Sequence, residues 1–474
     1  MPKAAISSDL ASAELARLSG LFGFGDGTPD SIRATQLFGG YSGETFRIDE
    51  LHGARRVAAL KVCRGYPQEE VRAQAAVQGL IGARGFTGAC AALPLVSPPG
   101  SAPAYVAQSA RGEPVCMLSF VDGVPADAAI DAGADAVGVL RAVGERLASL
   151  HAVPVDARAD GLRTFRDGGV CLLARHAAGA IGEEMRKSEH TRGHPFVARY
   201  GALLAELRAA VAVADVLPNG ILHGDPFLDN VLVVTDPPLL QSAAPADGGT
   251  MAAQPGLTPV GSVSGAVSGL AHSPSIVHCA FVDFEDAAVG PLVFDVACCA
   301  ASSCFVRAAA GADGAGASAE ELGGVLDAGR LAALLIGYCT VRPLTAAEKR
   351  AFGAWLRVSI ACNATWRFVN FHIAHREAIE ARESYRELEA RLEQLRAPDC
   401  VAMVHAILNA LPQASEDRAA EAPGGGVAAA AGAAAEPPGA RAWLDANLPT
   451  VAAATAAAGF VVGALLRAGA RRKR

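Results

Sequence analysis

The chain has 474 residues, of which 51% are hydrophobic and 19% are charged, so it is long enough to bury a large globular core. Its formal net charge of −7 provides no overall attraction for nucleic acid or anionic lipid, which argues against a protein that binds polyanions. Eleven cysteines at irregular spacings, without a C-x-x-C pair, favour buried thiols over metal ligands. We therefore expect a reducing, cytoplasmic environment, and the N-terminus lacks the pattern of a secretory signal.

The first 120 residues predict a small sheet with one helix, preceded by a short N-terminal helix. We assign residues 1–120 to one N-terminal lobe on this pattern. The predicted elements are, in chain order, a helix over 9–22, a strand, glycine turn and strand over 36–48, a buried strand over 55–63, a helix over 69–85, and a strand that runs into a loop over 115–127.

Residues 121–400 predict a larger lobe that is mostly helical. Leu140, Val143, Leu147 and Leu150 lie on one stripe of a helix that ends near residue 151. The fold class is therefore α+β, with a small N-terminal β-sheet lobe and a larger helical C-terminal lobe. The other predicted elements are helices over 200–214, 327–341, 345–372 and 373–396, and short strands over 230–234 and 278–284.

Two stretches of biased composition interrupt or follow these lobes. Residues 236–275 are rich in proline, glycine, serine and alanine and predict a disordered insertion, and residues 413–447 predict a flexible linker. Residues 448–474 form an apolar segment with a basic tail, in which the uncharged residues 450–466 would rise roughly 26 Å as a helix. Because a bilayer core is ~30 Å thick, this segment predicts either a membrane tail anchor or an alanine-rich helix that docks on protein.

Two motifs place polar residues directly at the ends of apolar strands. "HGDPFLDN" occupies residues 223–230, and "VDFEDAAVGPLVFDVA" occupies residues 282–297. The chain also keeps Lys61 inside the apolar run "VAALKVC", although only five of its 41 cationic residues are lysines. Lysine is a compact point charge that arginine does not replace at every site. The order of glycine turn, strand lysine, helix, H-x-D-x-x-x-x-N and strand-end aspartate is that of a kinase-fold phosphotransferase.

Phosphoryl transfer explains why these residue types are needed together. The reaction requires a cation at the nucleotide phosphates, oxygen ligands for Mg²⁺ and a carboxylate that meets the acceptor hydroxyl. Lys61 can supply the cation and Asp225 the carboxylate, while Asn230 and Asp283 can bind the metal. The carboxylates thus lie at strand ends because the floor of the cleft is built there.

The sequence resembles the aminoglycoside phosphotransferase-like family, which includes type II homoserine kinases, choline/ethanolamine kinases and hydroxylysine kinases. "HGDPFLDN" is similar to the family's H-[GA]-D-x-x-x-x-N, and residues 282–297 are similar to its I-D-[FW]-x-x-A-x-x-G-x-x-x-Y-D-[LI]-A. "GYCTVRPLTAAE" at residues 337–348, followed by a helix containing R-F, is similar to a type II homoserine kinase pattern. The resemblance covers about residues 10–400 and implies a bilobal protein-kinase-like fold that uses ATP and Mg²⁺.

The resemblance also implies a role for each of nine residues. Residues 1–120 would be the nucleotide-binding lobe, and the catalytic loop would belong to the helical lobe. The implied roles are Asp225 as catalytic base; Asn230 and Asp283 as Mg²⁺ ligands; Lys61 on the α- and β-phosphates; the backbone of Ser119 and Val121 as the hinge that meets the adenine; and Gly40, Ser42 and Gly43 as the turn that covers the phosphates.

Four polar residues beside these motifs are predicted to have other roles. We expect His223 to hold the loop rather than carry a proton. Asp295 is predicted to bond the backbone of the catalytic loop rather than a metal. Glu285 and Asp286 are predicted to be solvated acids, with metal binding as the alternative.

The helix partner of Lys61 is left open between two residues. Glu70 lies early in the predicted helix, and Gln74 occupies the position where a glutamate would be expected. A glutamine there would weaken the pairing, so an inactive, pseudokinase-like binding protein remains an alternative to an active kinase.

The acceptor is predicted to be a small molecule with a hydroxyl group. Only eleven residues separate Asp283 from Asp295, which is too few for the long activation segment with which a protein kinase holds a peptide. Homoserine is the preferred acceptor, with choline or ethanolamine, hydroxylysine and aminoglycosides as alternatives. Trp366, Arg367 and His372 are candidates for the pocket lining, and the oligomeric state is left open.

Overall fold

The computed structural model describes residues 10–37, 43–158, 160–165, 180–236, 275–306 and 323–412. They form an N-terminal lobe around an antiparallel sheet and a larger C-terminal lobe that is mainly helical, which confirms the predicted bilobal α+β fold. The helices are α1 (Ser12–Leu21), α2 (Gln68–Ala83), α3 (Ala126–Asp131), α4 (Ala136–His151), α5 (Ala180–Lys187), α6 (Pro195–Ala212), α7 (Leu292–Ser303), α8 (Ala328–Val341), α9 (Ala346–Val369), α10 (Tyr385–Arg396) and α11 (Pro398–Ala410). The strands are β1 (Ile32–Leu37), β2 (Glu44–Glu50), β3 (Val57–Val62), β4 (Ala92–Leu93), β5 (Val106–Gln108), β6 (Pro114–Ser119), β7 (Val124–Pro125), β8 (Asn219–Leu222), β9 (Val231–Asp236), β10 (Ser275–Phe281), β11 (Ala288–Pro291), β12 (Phe305–Val306) and β13 (Val325–Leu326).

The sheet of the N-terminal lobe has the order β1-β2-β3-β6-β4, and β5 also pairs with β6. Successive residues of a strand face opposite sides of a sheet. Leu60 and Val62 accordingly pack with α1 on one side, while Ala59 and Cys63 pack with α2 on the other. Lys61 shares the side of Ala59 and Cys63, so its side chain lies on the face that α2 covers.

In the C-terminal lobe, α4 packs against α8 at backbone contact distance. A side chain at Gly144 would overlap the carbonyl oxygen of Leu334, and one at Gly337 would overlap the carbonyl oxygen of Arg141. Two glycines facing opposite backbones allow this close approach, which stabilises the centre of the lobe through dense packing.

Exchanging Gly337 for alanine tests this close packing. We expect Gly337→Ala to lower the free energy of unfolding by about 1–3 kcal/mol, because the new methyl group must push the two helices apart. Gly353→Ala in α9 is the matched control, since a side chain there meets no atom within 4 Å. The control should raise stability by up to about 1 kcal/mol through helix propensity. Urea unfolding measures both, and stabilisation by both substitutions would contradict the close approach.

The structure differs from the sequence prediction after α9. One helix was predicted over 373–396, but α9 ends in a π-helical turn at Asn370–Ala374, and a 3₁₀ helix at Ile379–Ser384 precedes α10. Residues 373–384 contain few apolar side chains, and Ile379 is exposed. Without an apolar stripe to bury, this stretch does not form a continuous helix against the core.

Four helices of the large lobe, α3, α5, α7 and α11, were not predicted. Apart from Asp295, residues 292–303 are apolar or small, so they show no helical period, and α7 is buried in the core. Cys298 and Cys299 within α7, and Cys304 after it, are buried free thiols, as expected from their apolar surroundings. The core also extends beyond residue 400, to Leu411.

Two small antiparallel sheets form the floor between the lobes. β9 pairs with β10 and β7, and β11 pairs with β8. Asp236 and Ser275 are partners in the ladder of β9 and β10, so the two ends of the predicted insertion at 236–275 meet. The interior of that insertion, the predicted linker at 413–447 and the segment 448–474 with the predicted tail anchor at 450–466 lie outside the described residues. Within the described ranges, every helix is too short or too polar to cross a membrane.

Candidate functional site

The loop between β8 and β9 brings Asp225 and Asn230 together. The Nδ2 atom of Asn230 donates to Oδ2 of Asp225 and to its carbonyl oxygen, each at 3.0 Å. A 3₁₀ turn at Leu228–Asn230 reverses the chain so that the two side chains meet. This amide orients the carboxylate of Asp225 in the cleft.

His223 and Asp295 hold this loop through hydrogen bonds, as the sequence predicted for both residues. The buried carboxylate of Asp295 accepts the backbone N–H groups of His223, at 2.6 Å, and Gly224, at 3.0 Å. His223 donates through Nε2 to the carbonyl oxygen of Val282 at 2.8 Å and accepts the N–H of Asp225 at Nδ1. Burial lowers the pKa of His223, so it holds the loop as a neutral ring.

Gly224 is required in the loop for two reasons. Its φ of +88° lies in the left-handed region, and a side chain at this position would overlap the backbone of Asp286. The two motifs therefore touch through their backbones, which fixes the distance between them.

Asp283 follows β10 and enters the cleft next to Asn230. The backbone N–H of Val282 donates to the carbonyl oxygen of Asn230 at 2.9 Å, which sets the two motifs side by side. Asp283 itself has φ 61° and ψ 65°, a left-handed conformation that is uncommon for a residue other than glycine. Such backbone strain is concentrated at functional sites, where the surrounding structure enforces it.

Lys61 forms an ion pair with Asp283, with 2.6 Å between Nζ and Oδ1. Both side chains are mostly buried, with 18% and 24% of their surfaces exposed. Burial alone would lower the pKa of Lys61, but the carboxylates of Asp283 and Glu285 outweigh it and raise the pKa above the ordinary lysine value. Lys61 is therefore a fixed cation in the cleft.

Neither candidate from α2 pairs with Lys61 among the described residues. Gln74 donates to the backbone oxygen of Glu285 at 3.3 Å, and Glu70 lines a small cleft of about 40 Å³ with Gln74 and Glu285. Glu285 is half-buried rather than solvated, and its carboxylate accepts the hydroxyl of Tyr66 at 3.2 Å. The prediction that Glu285 is a solvated acid was therefore wrong, because α2 and Tyr66 cover it.

Asp225 lies among several other carboxylates. Burial, and then the charges of Asp229, Asp283 and Glu285, raise the pKa of Asp225 to about 8, although the hydrogen bond from Asn230 opposes this. Burial and the neighbouring negative charges thus favour a proton on the Asp225 carboxylate or a cation close to it.

Three of the residues expected around a nucleotide, Gly43, Ser119 and Val121, are among the described residues. Gly43 precedes β2, and a side chain there would overlap the backbone of Val62; Gly40 and Ser42 lie outside the described residues. Ser119 ends β6 and bonds Ala91 through both its N–H, at 2.8 Å, and its hydroxyl, at 2.9 Å. Val121 follows in the segment that joins the lobes.

The candidates for an acceptor pocket have partners within the helical lobe. Arg367 donates to Glu387 at 3.3 Å, His372 stacks on Phe368 with 4.3 Å between ring centres, and Trp366 is partly exposed. The described contacts of Arg367 and His372 are therefore those of helix packing. Their predicted role as pocket lining stays a prediction.

Sequence reasoning did not identify His151 as part of this site. Its ring lies between Asp295 and Tyr338, with Nε2 at 3.2 Å from Oδ2 of Asp295 and Nδ1 at 2.7 Å from the Tyr338 hydroxyl. The sequence signal was present, because Tyr338 belongs to the G-Y-x-x-x-R pattern. Its partner, however, is 187 residues away in the chain.

Comparison with known proteins agrees with the motifs. Residues 33–240, which include Lys61, Asp225 and Asn230, match the phosphotransferase enzyme family. This part of the chain is similar to the phosphotransferase enzyme family. The predicted resemblance to this family is thereby confirmed.

One curated relative of this chain is a homoserine kinase from Gluconacetobacter diazotrophicus. It is 27% identical over 293 residues, which cover 61% of this chain and 66% of the relative. The similarity thus spans slightly less than two thirds of the relative's length.

Three solved structures are also similar at low sequence identity. An aminoglycoside phosphotransferase homologue from Ralstonia eutropha has 16% identity and a TM-score of 0.45, covering 81% of this chain and 97% of its own. A choline/ethanolamine kinase family protein from Mesorhizobium loti has 14% identity and a TM-score of 0.47, covering 84% and 100%. The amicoumacin kinase hAmiN has 13% identity and a TM-score of 0.47, covering 80% and 92%.

Proposed function

We propose that the chain is a kinase that transfers the γ-phosphoryl group of ATP to the hydroxyl group of a small molecule. The observation that carries this proposal is the pair of contacts in one cleft: Asp225 with Asn230 at 3.0 Å, and Lys61 with Asp283 at 2.6 Å. These groups are the base, the amide, the cation and the acid that phosphoryl transfer requires.

In this proposal each group has a defined task. Asp225 accepts the proton of the acceptor hydroxyl, and Asn230 keeps the Asp225 carboxylate oriented to receive that proton. Lys61 binds the phosphates after it leaves Asp283, which requires the nucleotide to compete with that ion pair. Ser119 and Val121 would meet the adenine with their backbone, while Gly40, Ser42 and Gly43 would cover the phosphates.

The donor set fits a Mg²⁺ ion bound with the nucleotide. Within the described ranges, no cluster of three or more His, Cys, Asp or Glu side chains is arranged to hold a metal by itself. Mg²⁺ in phosphotransferases takes one or two protein oxygens and completes its shell with phosphates and water, which Asn230 and Asp283 can satisfy. The ion would neutralise charge on the phosphates, and the negative field that raises the pKa of Asp225 to about 8 would favour its binding.

The segment after Asp283 supports a small acceptor rather than a peptide. Phe284–Asp286 forms a 3₁₀ turn, residues 288–291 pair with β8, and α7 begins at Leu292. This stretch is short and tied into the floor, whereas a peptide acceptor needs a long, adaptable activation segment.

Homoserine is the acceptor we favour, because the curated relative carries that name and the sequence contains the G-Y-x-x-x-R-P-L-T-x-x-E pattern. Ethanolamine, choline, hydroxylysine and aminoglycosides remain alternative acceptors. Gln74, in place of a glutamate, is the observation that favours the second candidate function, a nucleotide-binding protein without turnover.

A panel of acceptors tests the proposal directly. Purified protein with MgATP is offered homoserine, ethanolamine, choline, hydroxylysine and kanamycin, and ADP release and phosphorylated product are measured for each. We expect one acceptor to give a kcat/KM at least about 10-fold above the others, since discrimination by one binding pocket is of that order. ATP binding without product from any acceptor would support the inactive alternative and contradict the kinase.

A further inference from the structure

A chain of buried polar contacts connects α8 to the catalytic loop. Arg342 donates through Nη1 to the hydroxyl oxygen of Tyr338 at 3.0 Å, and that hydroxyl lies 2.7 Å from Nδ1 of His151. Nε2 of His151 lies 3.2 Å from Oδ2 of Asp295, which accepts the backbone of His223. The contacts join segments that are far apart in the sequence but meet behind Asp225.

The donor and the acceptor of every hydrogen bond in this series of buried contacts can be assigned. Arg342 can only donate, so the Tyr338 oxygen accepts from it. Burial lowers the pKa of His151, which makes the ring neutral, with one nitrogen protonated. A bare nitrogen facing the Asp295 carboxylate would be repelled, so Nε2 carries the proton and donates to Asp295. Nδ1 is then an acceptor, and the Tyr338 hydroxyl donates to it.

The position of the His151 ring therefore depends on the hydroxyl of Tyr338. If that hydroxyl is removed, Nδ1 keeps no donor among the described residues, and a buried acceptor without a donor costs free energy. The ring would then shift toward another donor, which would lengthen the 3.2 Å contact between Nε2 and Asp295 and let Asp295 shift. Since Asp295 also accepts the N–H groups of His223 and Gly224, the residues before Asp225 would shift with it.

Glu348 fixes the far end of this chain. Its fully buried carboxylate lies 2.9 Å from Nη1 of Arg342 and accepts the N–H and hydroxyl of Thr345, in a capping box at the start of α9. Arg342 is thus held between the ends of α8 and α9. Gly337, Tyr338, Arg342, Thr345 and Glu348 are among the positions that make residues 337–348 similar to the type II homoserine kinase pattern.

We propose that Tyr338 and Arg342 are positioning residues, which hold the catalytic loop through His151 and Asp295 and so set the turnover rate rather than the choice of acceptor. The proposal rests on the kinase function proposed above. Tyr338 is fully buried and bonded on both sides of its hydroxyl. The G-Y-x-x-x-R motif that contains Tyr338 therefore acts on Asp225 through the backbone of the catalytic loop and not through contact with a bound acceptor.

Tyr338→Phe tests this inference, with Tyr385→Phe as the matched control. Tyr385 is an equally buried tyrosine of the same lobe, and it packs against Phe196 and Phe368, away from the catalytic loop. We expect Tyr338→Phe to lower kcat about 10- to 100-fold for the acceptor that the wild-type enzyme prefers, because small misplacement of a catalytic group has effects of that size. KM values for ATP and acceptor should stay within about twofold, because the substitution leaves the groups that bind the two substrates in place. Tyr385→Phe should keep the wild-type kcat.

A second readout does not depend on activity. In protein with ¹⁵N-labelled histidine, His151 should show the Nε2–H tautomer in the wild type and in Tyr338→Phe, and the Nε2–H proton signal should move to a lower chemical shift in Tyr338→Phe as its hydrogen bond to Asp295 lengthens. The resonances are assigned by their loss in His151→Gln. Should Tyr338→Phe not fold, Arg342→Lys, which keeps the charge but not the planar fork, should give the same direction with a smaller decrease in kcat.

Three results would overturn the inference: an unchanged kcat per nucleotide-binding site, a rise in acceptor KM at constant kcat, or an altered acceptor preference. A wild-type protein that phosphorylates no acceptor would instead contradict the proposed function. The histidine signals would then decide alone, since an unchanged Nε2–H signal in Tyr338→Phe rejects the connection and a displaced one supports it.

Discussion

Replacing Asp225 with asparagine should lower kcat by about 10²–10⁴-fold while ATP affinity stays close to that of the wild type, since a positioned general base contributes on that scale. Asparagine has the same shape and can still accept the Asn230 amide at 3.0 Å through its side-chain oxygen, but it cannot take a proton from the acceptor. Steady-state kinetics and isothermal titration with MgATP measure the two quantities. Asp131→Asn, which removes an exposed carboxylate at the end of α3, is the control and should keep kcat within about threefold.

The same variant should also change how stability depends on pH. Without metal or nucleotide, the folded pKa of Asp225 is about 8, against an ordinary value of 3.8. A raised folded pKa stabilises the fold at low pH, and this contribution is lost as the pH rises from about 4 to about 8. Asparagine carries no charge, so the melting temperature of Asp225→Asn should exceed that of the wild type more at pH 8 than at pH 5. In the kinetic measurement described first, wild-type turnover by Asp225→Asn would remove Asp225 from the mechanism.

The sequence predicted the parts of the site that lie at strand ends. Lys61 interrupts the apolar run of β3, and Asp283 follows that of β10. Asp225 follows β8, and Asn230 directly precedes β9. Both the strand period and the loop spacing are local, so no tertiary information is needed to see them. The same holds for Asp295, whose predicted hydrogen bonds to the loop backbone are present.

The contacts that the sequence did not reveal join distant segments. Lys61 was expected to pair with α2, but its partner is Asp283, 222 residues away, because Gln74 turns to the backbone of Glu285 instead. The bond between His151 and Tyr338 is equally non-local. α7 was missed for another reason: apart from Asp295 its residues are apolar or small, so neither period is visible in them.

Asp283→Asn should have opposite effects on ATP binding with and without Mg²⁺. Asparagine tolerates the left-handed backbone at φ 61°, so the substitution removes a charge without adding strain. Without metal, Lys61 loses the partner at 2.6 Å that the phosphates must displace, and ATP should bind a few-fold more tightly than to the wild type. With Mg²⁺, the loss of a charged ligand should weaken binding and lower kcat by about 10²-fold or more.

Isothermal titration of the protein with ATP, once in EDTA and once with Mg²⁺, separates these two effects. Asp286→Asn provides a control from the same turn. The control removes one negative charge close to the cleft but leaves Lys61 paired with Asp283. It should therefore change both affinities only slightly. Equal weakening by Asp283→Asn with and without metal would mean that Asp283 acts on the fold of the cleft. Unchanged affinity for MgATP would remove it from the metal site. Only a change of sign between the two conditions fits a carboxylate that holds Lys61 in the empty site and Mg²⁺ in the loaded one.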